Sequence, residues 1–302
     1  MKLVRRFLLF VFLILVEKGG IHGKAEDLYV EADGKRISLA GDWKYRIGLS
    51  LTGFPPAPIS PVQSSSYPTV LFNAMVKPWT AFPIKGVIWY QGEANVGRSE
   101  QYGDLFPALI TDWRRQWRSD FPFYFVQLAN FMESKKIQPD SEWAALREAQ
   151  TKALKLDQVG MAVTIDIGLA DDIHPKNKQE VGRRLALVAL AGSYGKNVSS
   201  SAPVFQNYII KGNKMELDFG QKQDGFQIKG TTLKGFTIAG PDRVFYPAEA
   251  MVHDGKIILS STEVPAPLAA RYGWADNPDC NLYGENGSGC PSGPTVGRWC
   301  KS

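Results

Sequence analysis

Cysteine and histidine are scarce in this chain of 302 residues, which holds three of each. The cysteines, Cys280, Cys290 and Cys300, lie close to the end of the chain, without the paired Cys-x-x-Cys spacing of a zinc site. An odd number of cysteines cannot all pair within one chain, so the sequence is compatible either with one disulfide or with free thiols only. His22 and His253 have no ligand partners at useful spacing. We therefore expect neither a metal centre nor another cofactor.

The chain also lacks a concentrated run of basic residues. Its formal net charge is +5, but the 35 Lys and Arg residues are scattered among 30 acids. A nucleic-acid-binding protein normally clusters its cations in a patch or stripe. We therefore expect no nucleic-acid partner, and the 44% hydrophobic content is that of an ordinary globular protein.

Long apolar runs are absent except at the start, where the basic MKLVRR precedes the ten residues FLLFVFLILV. A basic segment followed by a short apolar one is typical of a secretory signal, and ten residues are too few to span a bilayer. Residues 1–25 therefore predict export to the periplasm or the outside of the cell, with a mature chain from about Glu26. The alternative is a buried strand in an N-terminally incomplete chain.

The rest of the sequence separates into segments of different character. Residues 26–69 predict a β-hairpin, with a turn at Asp33-Gly34, followed by a linker rich in proline and serine. Short apolar segments at regular spacing predict a small all-β domain over 201–275, and the Gly-, Pro- and Ser-rich residues 276–302 predict an irregular tail.

Residues 70–200 alternate between strand and helix patterns, which predicts an α/β fold. Near-continuous apolar strands indicate a parallel sheet with helices on both faces, and such sheets bind ligands at the carboxyl ends of their strands. The expected strands are 84–91, 121–131 and 160–168, and the expected helices are 100–117, 141–154 and 176–195.

The first of these strands ends in an unusual polar cluster, Gln91-Gly92-Glu93. A glutamine at a strand end can donate its amide N–H to a developing oxyanion. Gly92 would let a substrate approach the backbone, and Glu93 could orient a histidine or an arginine such as Arg98. The alternative role is a hydrogen-bonded anchor for the following loop.

His174 lies in a loop, after the third strand and before an amphipathic helix, and acids precede it at Asp171 and Asp172. A carboxylate at this spacing can hold one imidazole nitrogen so that the other acts as a base. We expect His174 to be catalytic; a structural histidine is the alternative.

These motifs together resemble the sialate O-acetylesterase family, a branch of the SGNH hydrolases. The resemblance runs from about Gly19 to Asn281 and is carried by GVIWYQGEANVGRSEQYGDLF, FPFYFVQLANF, WAALREAQ and DDIHPKNK. It implies a flavodoxin-like three-layer α/β/α parallel sheet, here incomplete, followed by a small all-β domain. It also implies hydrolysis of O-acetyl esters on sugars, typically sialic acid and in some relatives xylan, by a serine, a histidine base and an orienting acid, without metal.

The resemblance assigns the site residues by position. His174 matches the catalytic histidine, and Gln91, Gly92 and Glu93 match the family's QGE block. Asn73 falls in another block typical of the family, and Gln91, Gly92 and Asn73 are the expected oxyanion- and substrate-binding residues. The orienting acid stays open between Asp171, Asp172 and Glu93.

The nucleophile is unassigned, because the serine block of the family has no counterpart in this sequence. Ser64, Ser65 and Ser66 lie in the predicted linker and do not match it. We therefore expect the chain to correspond to the C-terminal two-thirds of a longer esterase. The expected function is that of a carbohydrate esterase acting on an O-acetylated sugar or glycan. The alternative is a catalytically inactive carbohydrate-binding or structural fragment. The sequence does not indicate an oligomeric state.

Overall fold

The structure is a computed structural model. It describes residues 29–32, 35–38, 69–135, 140–200, 203, 205–220, 225–284, 287 and 296–297. The predicted export segment, the Asp33-Gly34 turn, Ser64 to Ser66, Cys290 and Cys300 lie outside these residues. The described chain divides into a smaller unit that ends at Thr80 and a larger unit that starts at Ala81. Within the described part, no helix has both the length and the hydropathy needed to cross a bilayer.

The smaller unit contains a β-ladder and two short helical turns. Strands β1 (Tyr29–Ala32) and β2 (Lys35–Ser38) pair antiparallel. A π-helical turn follows at Phe72–Val76 and runs into a 3₁₀ turn at Lys77–Trp79.

The larger unit begins with the predicted α/β segment. Strands β3 (Val87–Trp89), β4 (Phe123–Val126) and β5 (Val159–Ala162) form a parallel sheet in that order. Because parallel strands point the same way, their carboxyl ends meet at one edge. The prediction of an α/β fold with a parallel sheet is confirmed.

Three helices cover the two faces of this sheet: α1 (Ser99–Trp117), α2 (Glu142–Thr151) and α3 (Lys178–Gly192). Alternate residues of β4 face opposite sides, as the pleat of a strand requires. The rings of Phe123 and Phe125 both pack edge-on against Phe106 of α1. Tyr124 faces α3, where its hydroxyl lies 2.7 Å from Ser193 Oγ.

A close approach to α3 requires glycine on β5. A Cβ atom at Gly160 would lie 2.4 Å from Val188 Cγ1 of the helix, which is well inside contact distance. The sheet therefore lies between α3 on one face and α1 with α2 on the other. The helices α1 and α2 also pack against each other.

Local sequence sets the helix ends. Ser141, the first residue of the predicted helix 141–154, is the N-cap of α2, and its hydroxyl accepts the Ala144 N–H at 2.9 Å. Asn177 caps α3 in the same way, accepting the Glu180 N–H at 3.1 Å. Helix α1 ends at Trp117, and the left-handed backbone of its C-cap, Arg118 (φ 52°), turns the chain so that the Ser119 N–H bonds to the Arg114 carbonyl at 3.0 Å.

Antiparallel sheets follow, and the all-β prediction for this part of the fold is confirmed. The strands are β6 (Asn207–Lys211), β7 (Lys214–Asp218), β8 (Phe226–Ile228), β9 (Phe236–Ala239), β10 (Phe245–Pro247), β11 (Glu249–His253), β12 (Lys256–Ser260), β13 (Ala269–Tyr272), β14 (Leu282–Gly284) and β15 (Val296–Gly297). One sheet has the order β11-β12-β7-β6, a second has the order β10-β9-β13-β15, and β14 pairs with β8.

The core of this β region forms between the two four-stranded sheets. Met215 of β7 and Ile257 of β12 pack with Ile238 of β9, and all three are fully buried. Burying a side chain of this size contributes about 1.5–3 kcal/mol. Strands β14 and β15 lie within 276–302, where composition predicts an irregular tail; pairing with β8 and β13 gives these short segments their extended form.

One buried cation connects the α/β part with the β region. The guanidinium of Arg147 on α2 is fully buried and donates to the backbone carbonyls of Gly273, Ala275 and Asp276. Ser141 adds a hydroxyl bond of 2.6 Å to the Asp276 carboxylate. Burial lowers the pKa of Arg147 to about 10, which still leaves the group charged at neutral pH.

Candidate functional site

The polar residues predicted from the first strand form a tight turn just beyond β3. Two side chains hold the carbonyl oxygen of Gln91: Gln150 Nε2 donates at 3.2 Å and the Tyr102 hydroxyl at 3.3 Å. The Gln91 amide donates to Asn95 Oδ1 at 2.7 Å. An amide NH₂ carries two hydrogens, so this bond uses one of the two.

Gly92 lies so close to two side chains that a methyl group at this position would require them to shift. Its φ is +156°, and a Cβ atom there would lie 3.1 Å from Gln150 Nε2 and 3.2 Å from Leu128 Cδ2. The glycine is also buried. The close neighbours are therefore side chains of the protein core, which supports a structural need for glycine at this position.

Glu93 opens a 3₁₀ turn, Glu93–Asn95, and is partly buried. Burial raises the pKa of Tyr90 above its usual range, and the negative charge of Glu93 adds to that shift. Burial likewise raises the pKa of Tyr102 to about 12, with a smaller contribution from Glu93. Both phenols are therefore neutral at physiological pH. Arg98, which the sequence offers as a partner of Glu93, donates instead to the Ala94 carbonyl at 3.0 Å.

His174 is placed beside Asp172. One carboxylate oxygen of Asp172 accepts the backbone N–H of His174 at 2.9 Å and lies 3.9 Å from its imidazole Nδ1. The other oxygen lies 3.9 Å from Lys176 Nζ. The histidine side chain is 88% exposed, so the imidazole is not a core packing group. Asp171 is exposed, and of the two acids it is Asp172 that contacts the histidine.

Lys178 lies between the two predicted clusters. It is the first residue of α3, and its Nζ lies 4.7 Å from the ring centroid of Tyr90. Lys178 is exposed at the surface, but the groups around its ammonium remove part of its water and lower its pKa, while the charges of Glu93 and Asp172 oppose that shift. Sequence reasoning did not assign this residue, although it is the last lysine of the DIHPKNK motif.

Asp166, at the end of the third predicted strand, has a structural partner. Its carboxylate forms two bonds with the Arg184 guanidinium, at 2.6 and 2.9 Å, and the arginine is 3% exposed. Arg184 also donates to the Val163 carbonyl and to Glu180. This network fixes α3 to the segment after β5 and thus sets where the His174 loop starts.

The polar residues at the end of β4 are likewise structural. Gln127 is fully buried and donates to the Arg147 carbonyl at 3.2 Å. Asn130 donates to Asn277 and accepts the Gly168 N–H at 2.6 Å. These bonds tie together the loops that surround the candidate site.

Asn73 belongs to the smaller unit, in the π-helical turn, where its amide lies 3.4 Å from the Thr69 hydroxyl. Because that unit is separate from the one that holds His174, the role of Asn73 in the site stays a prediction. Among the described residues, no three His, Cys, Asp or Glu side chains group as metal ligands would.

Comparison with known proteins connects this geometry to a chemistry. The profile of a family described as carbohydrate esterase, sialic acid-specific acetylesterase matches residues 57–191. That range contains Gln91, Glu93, Asp172, His174 and Lys178.

Two curated relatives illustrate the similarity. A sialate O-acetylesterase from Pongo abelii is 31% identical over 286 residues, which cover 84% of this chain and 54% of the relative. The sialate O-acetylesterase from Homo sapiens is 35% identical over 220 residues, covering 65% and 42% respectively. The chain thus spans about half the length of the curated relatives it matches.

A solved structure is similar in fold as well as in sequence. The crystal structure of a carbohydrate acetylesterase from Xanthomonas citri superposes with a TM-score of 0.72 at 42% identity. The match covers 77% of this chain and 55% of that protein.

Proposed function

Because this chain belongs to the sialate O-acetylesterase family, we propose that it acts in the hydrolysis of O-acetyl esters on sugars. O-acetylated sialic acid is the expected substrate. The observation that carries the proposal is the placement of His174 against Asp172 inside the segment that matches the family profile.

His174 is the proposed general base. With Asp172 on the Nδ1 side of the ring, Nε2 is the nitrogen available to take a proton from the attacking hydroxyl. The same nitrogen then returns the proton to the departing sugar oxygen. The Nδ1 to carboxylate distance of 3.9 Å is longer than a hydrogen bond, and such bonds commonly shorten when substrate binds.

Gln91 is the proposed donor to the developing oxyanion. Its second amide hydrogen is directed by the bond that the first makes with Asn95, and its backbone is fixed by Gln150 and Tyr102. A donor held in advance stabilises charge without reorganising during the reaction. The overall reaction adds water to the ester and yields acetate and a free sugar hydroxyl.

The test is acetate release by the purified 302-residue chain from O-acetylated sialic acid and from acetylated xylan. A fluorophosphonate, which reacts covalently with activated serines, is used in parallel, and mass spectrometry locates the labelled residue. A chain that acts as an esterase is expected to release acetate from sialic acid esters and to carry one labelled serine, which would assign the missing nucleophile, and both signals should be abolished in a His174→Ala variant. Equal rates for native chain and variant would overturn the assignment of the base.

The alternative of a non-catalytic carbohydrate-binding fragment gives a different result in the same experiment. It predicts saturable binding of the acetylated sugar by calorimetry, with neither acetate nor labelling. Sequence favours this alternative in one respect, because the serine block of the family has no counterpart in the chain.

We also propose that the protein is exported, on the basis of the basic and apolar residues 1–16. N-terminal sequencing of natively expressed protein is the test. A mature terminus near Glu26 is expected, and a retained Met1 in the cytoplasmic fraction would contradict export.

A further inference from the structure

The contact between Lys178 and Tyr90 joins the two predicted clusters directly. Tyr90 immediately precedes Gln91, whereas Lys178 lies four residues after His174. Their contact, 4.7 Å from Nζ to ring centroid, therefore spans from the end of β3 to the start of α3. At this distance a lysine ammonium is attracted to the face of an aromatic ring.

The charges around the ammonium add to that attraction. Glu93, from the turn after β3, and Asp172, from the loop before α3, both act on Lys178. Lys176 and His174 face the same Asp172 carboxylate from within the loop. A cation attracted by carboxylates on two different elements favours holding those elements together.

Lys176 provides a natural contrast. It carries the same charge and lies 3.9 Å from Asp172, but its side chain is 81% exposed and that acid belongs to its own loop. An ion pair that is this exposed and this local contributes little to stability. Lys178 differs because its partner ring belongs to another element.

We propose that Lys178, seated on the ring of Tyr90, is a positioning residue that holds the loop of Asp172 and His174 against the turn of Gln91, Gly92 and Glu93. The importance of this contact for catalysis rests on the esterase function proposed above. Lys178 acts through His174 and Gln91, by fixing their separation, and takes no part in proton transfer. Its contact with Tyr90 couples the base to the oxyanion donor.

The test is hydrogen exchange of backbone amides on both sides of the contact. The amides of Asn95 and Val96 report on the turn, since they bond to Gly92 and Glu93, and the His174 amide reports on the loop through its bond to Asp172. Lys178→Met is expected to accelerate exchange at all three amides by about two- to fivefold, the range that an exposed cation–π contact supports. Lys178→Arg keeps both charge and stacking and is expected to restore native rates.

Two matched controls separate positioning from general loosening. Lys176→Met removes the same charge from the same loop and should leave Asn95 and Val96 at native rates. Tyr90→Phe keeps the ring and should behave as native, whereas Tyr90→Leu should reproduce Lys178→Met. Acceleration confined to His174 in Lys178→Met, or failure of the arginine variant to restore the rates, would overturn the proposal.

Activity assays then distinguish this proposal from the proposed function. If the chain releases acetate, Lys178→Met should lower kcat while the KM changes little. The substitution would misplace the base and the oxyanion donor but would leave the binding of the sugar intact. If no acetate is released, the esterase proposal fails. The exchange result still decides whether Lys178 couples the two elements.

Discussion

A single carboxylate oxygen of Asp172 accepts the backbone N–H of His174 and also lies 3.9 Å from the imidazole of that residue. One acid thus holds the loop backbone by a hydrogen bond and lies on the Nδ1 side of the ring. This arrangement distinguishes Asp172 from its neighbour Asp171, which the sequence motif left equally eligible, and it leads to the first prediction.

Asp172→Asn should lower the rate of ester hydrolysis about 10- to 100-fold, and Asp171→Asn should change it less than about twofold. The asparagine keeps the size of the side chain but removes the charge that stabilises a protonated imidazole. Initial rates of acetate release at saturating substrate are the measurement. A larger loss in Asp171→Asn would move the orienting role to that residue.

Arg184→Met should reduce the free energy of unfolding by about 3–5 kcal/mol, because it leaves the Asp166 carboxylate buried without its partner. The control is Arg183→Met on the same helix. Arg183 is 45% exposed and pairs with Glu180 at the surface, so its loss should cost less than about 1 kcal/mol. Urea unfolding followed by circular dichroism measures both, and similar costs for the two variants would contradict the prediction.

Gly92→Ala and Gly182→Ala should shift stability in opposite directions. An alanine at Gly92 would crowd Gln150 and Leu128 and is expected to cost about 1–3 kcal/mol. Gly182 lies inside α3, and a methyl group there would have nothing within 4 Å, so alanine should add about 1 kcal/mol of helix stability. Thermal melting of the two variants is the measurement, and a neutral Gly92→Ala would show that the turn has room to relax.

Stability should fall as the pH drops from about 4.5 toward 2, and Glu180 should account for part of that fall. Bonds from Arg183, together with those from Arg184, lower the pKa of Glu180 to about 2. The unfolded chain therefore binds a proton at higher pH than the folded one, so the stabilisation is complete above pH 4.5 and is lost toward pH 2. Glu180→Gln should flatten the curve of unfolding free energy against pH in this window. An unchanged slope would contradict the prediction.

The elements of the sheet could be predicted from sequence because their signals are local. Strand and helix periodicity placed β3 through α3 in the correct order, and the predicted helix 141–154 starts at Ser141, which is the N-cap of α2. The predicted strands extended further than β3, β4 and β5 do, because apolar residues continue beyond the paired segments into loops that pack on the core.

The pairings that decide what each polar residue does could not be predicted in the same way. Asp166 lies at a strand end, where a site residue would be expected, but its carboxylate forms an ion pair with Arg184. That arginine lies on the buried face of the next helix. Lys178 and Tyr90 are far apart in sequence and meet only because α3 packs, through β4 and β5, against the same sheet that contains β3. The periodicity of apolar residues identifies which face of a helix is buried. The residue that a polar side chain pairs with depends on how helices and strands pack in three dimensions.

Arg147 has a consequence for how this protein could have diversified. Its charged group emerges from α2, yet the acceptors that compensate its burial are backbone carbonyls of 273–276, beyond most of the β strands. Recombination that exchanged the β region for an unrelated module would leave a buried cation without acceptors and would require a simultaneous change at Arg147. The two parts are therefore expected to be inherited as one piece, with variation concentrated in the exposed loops of each.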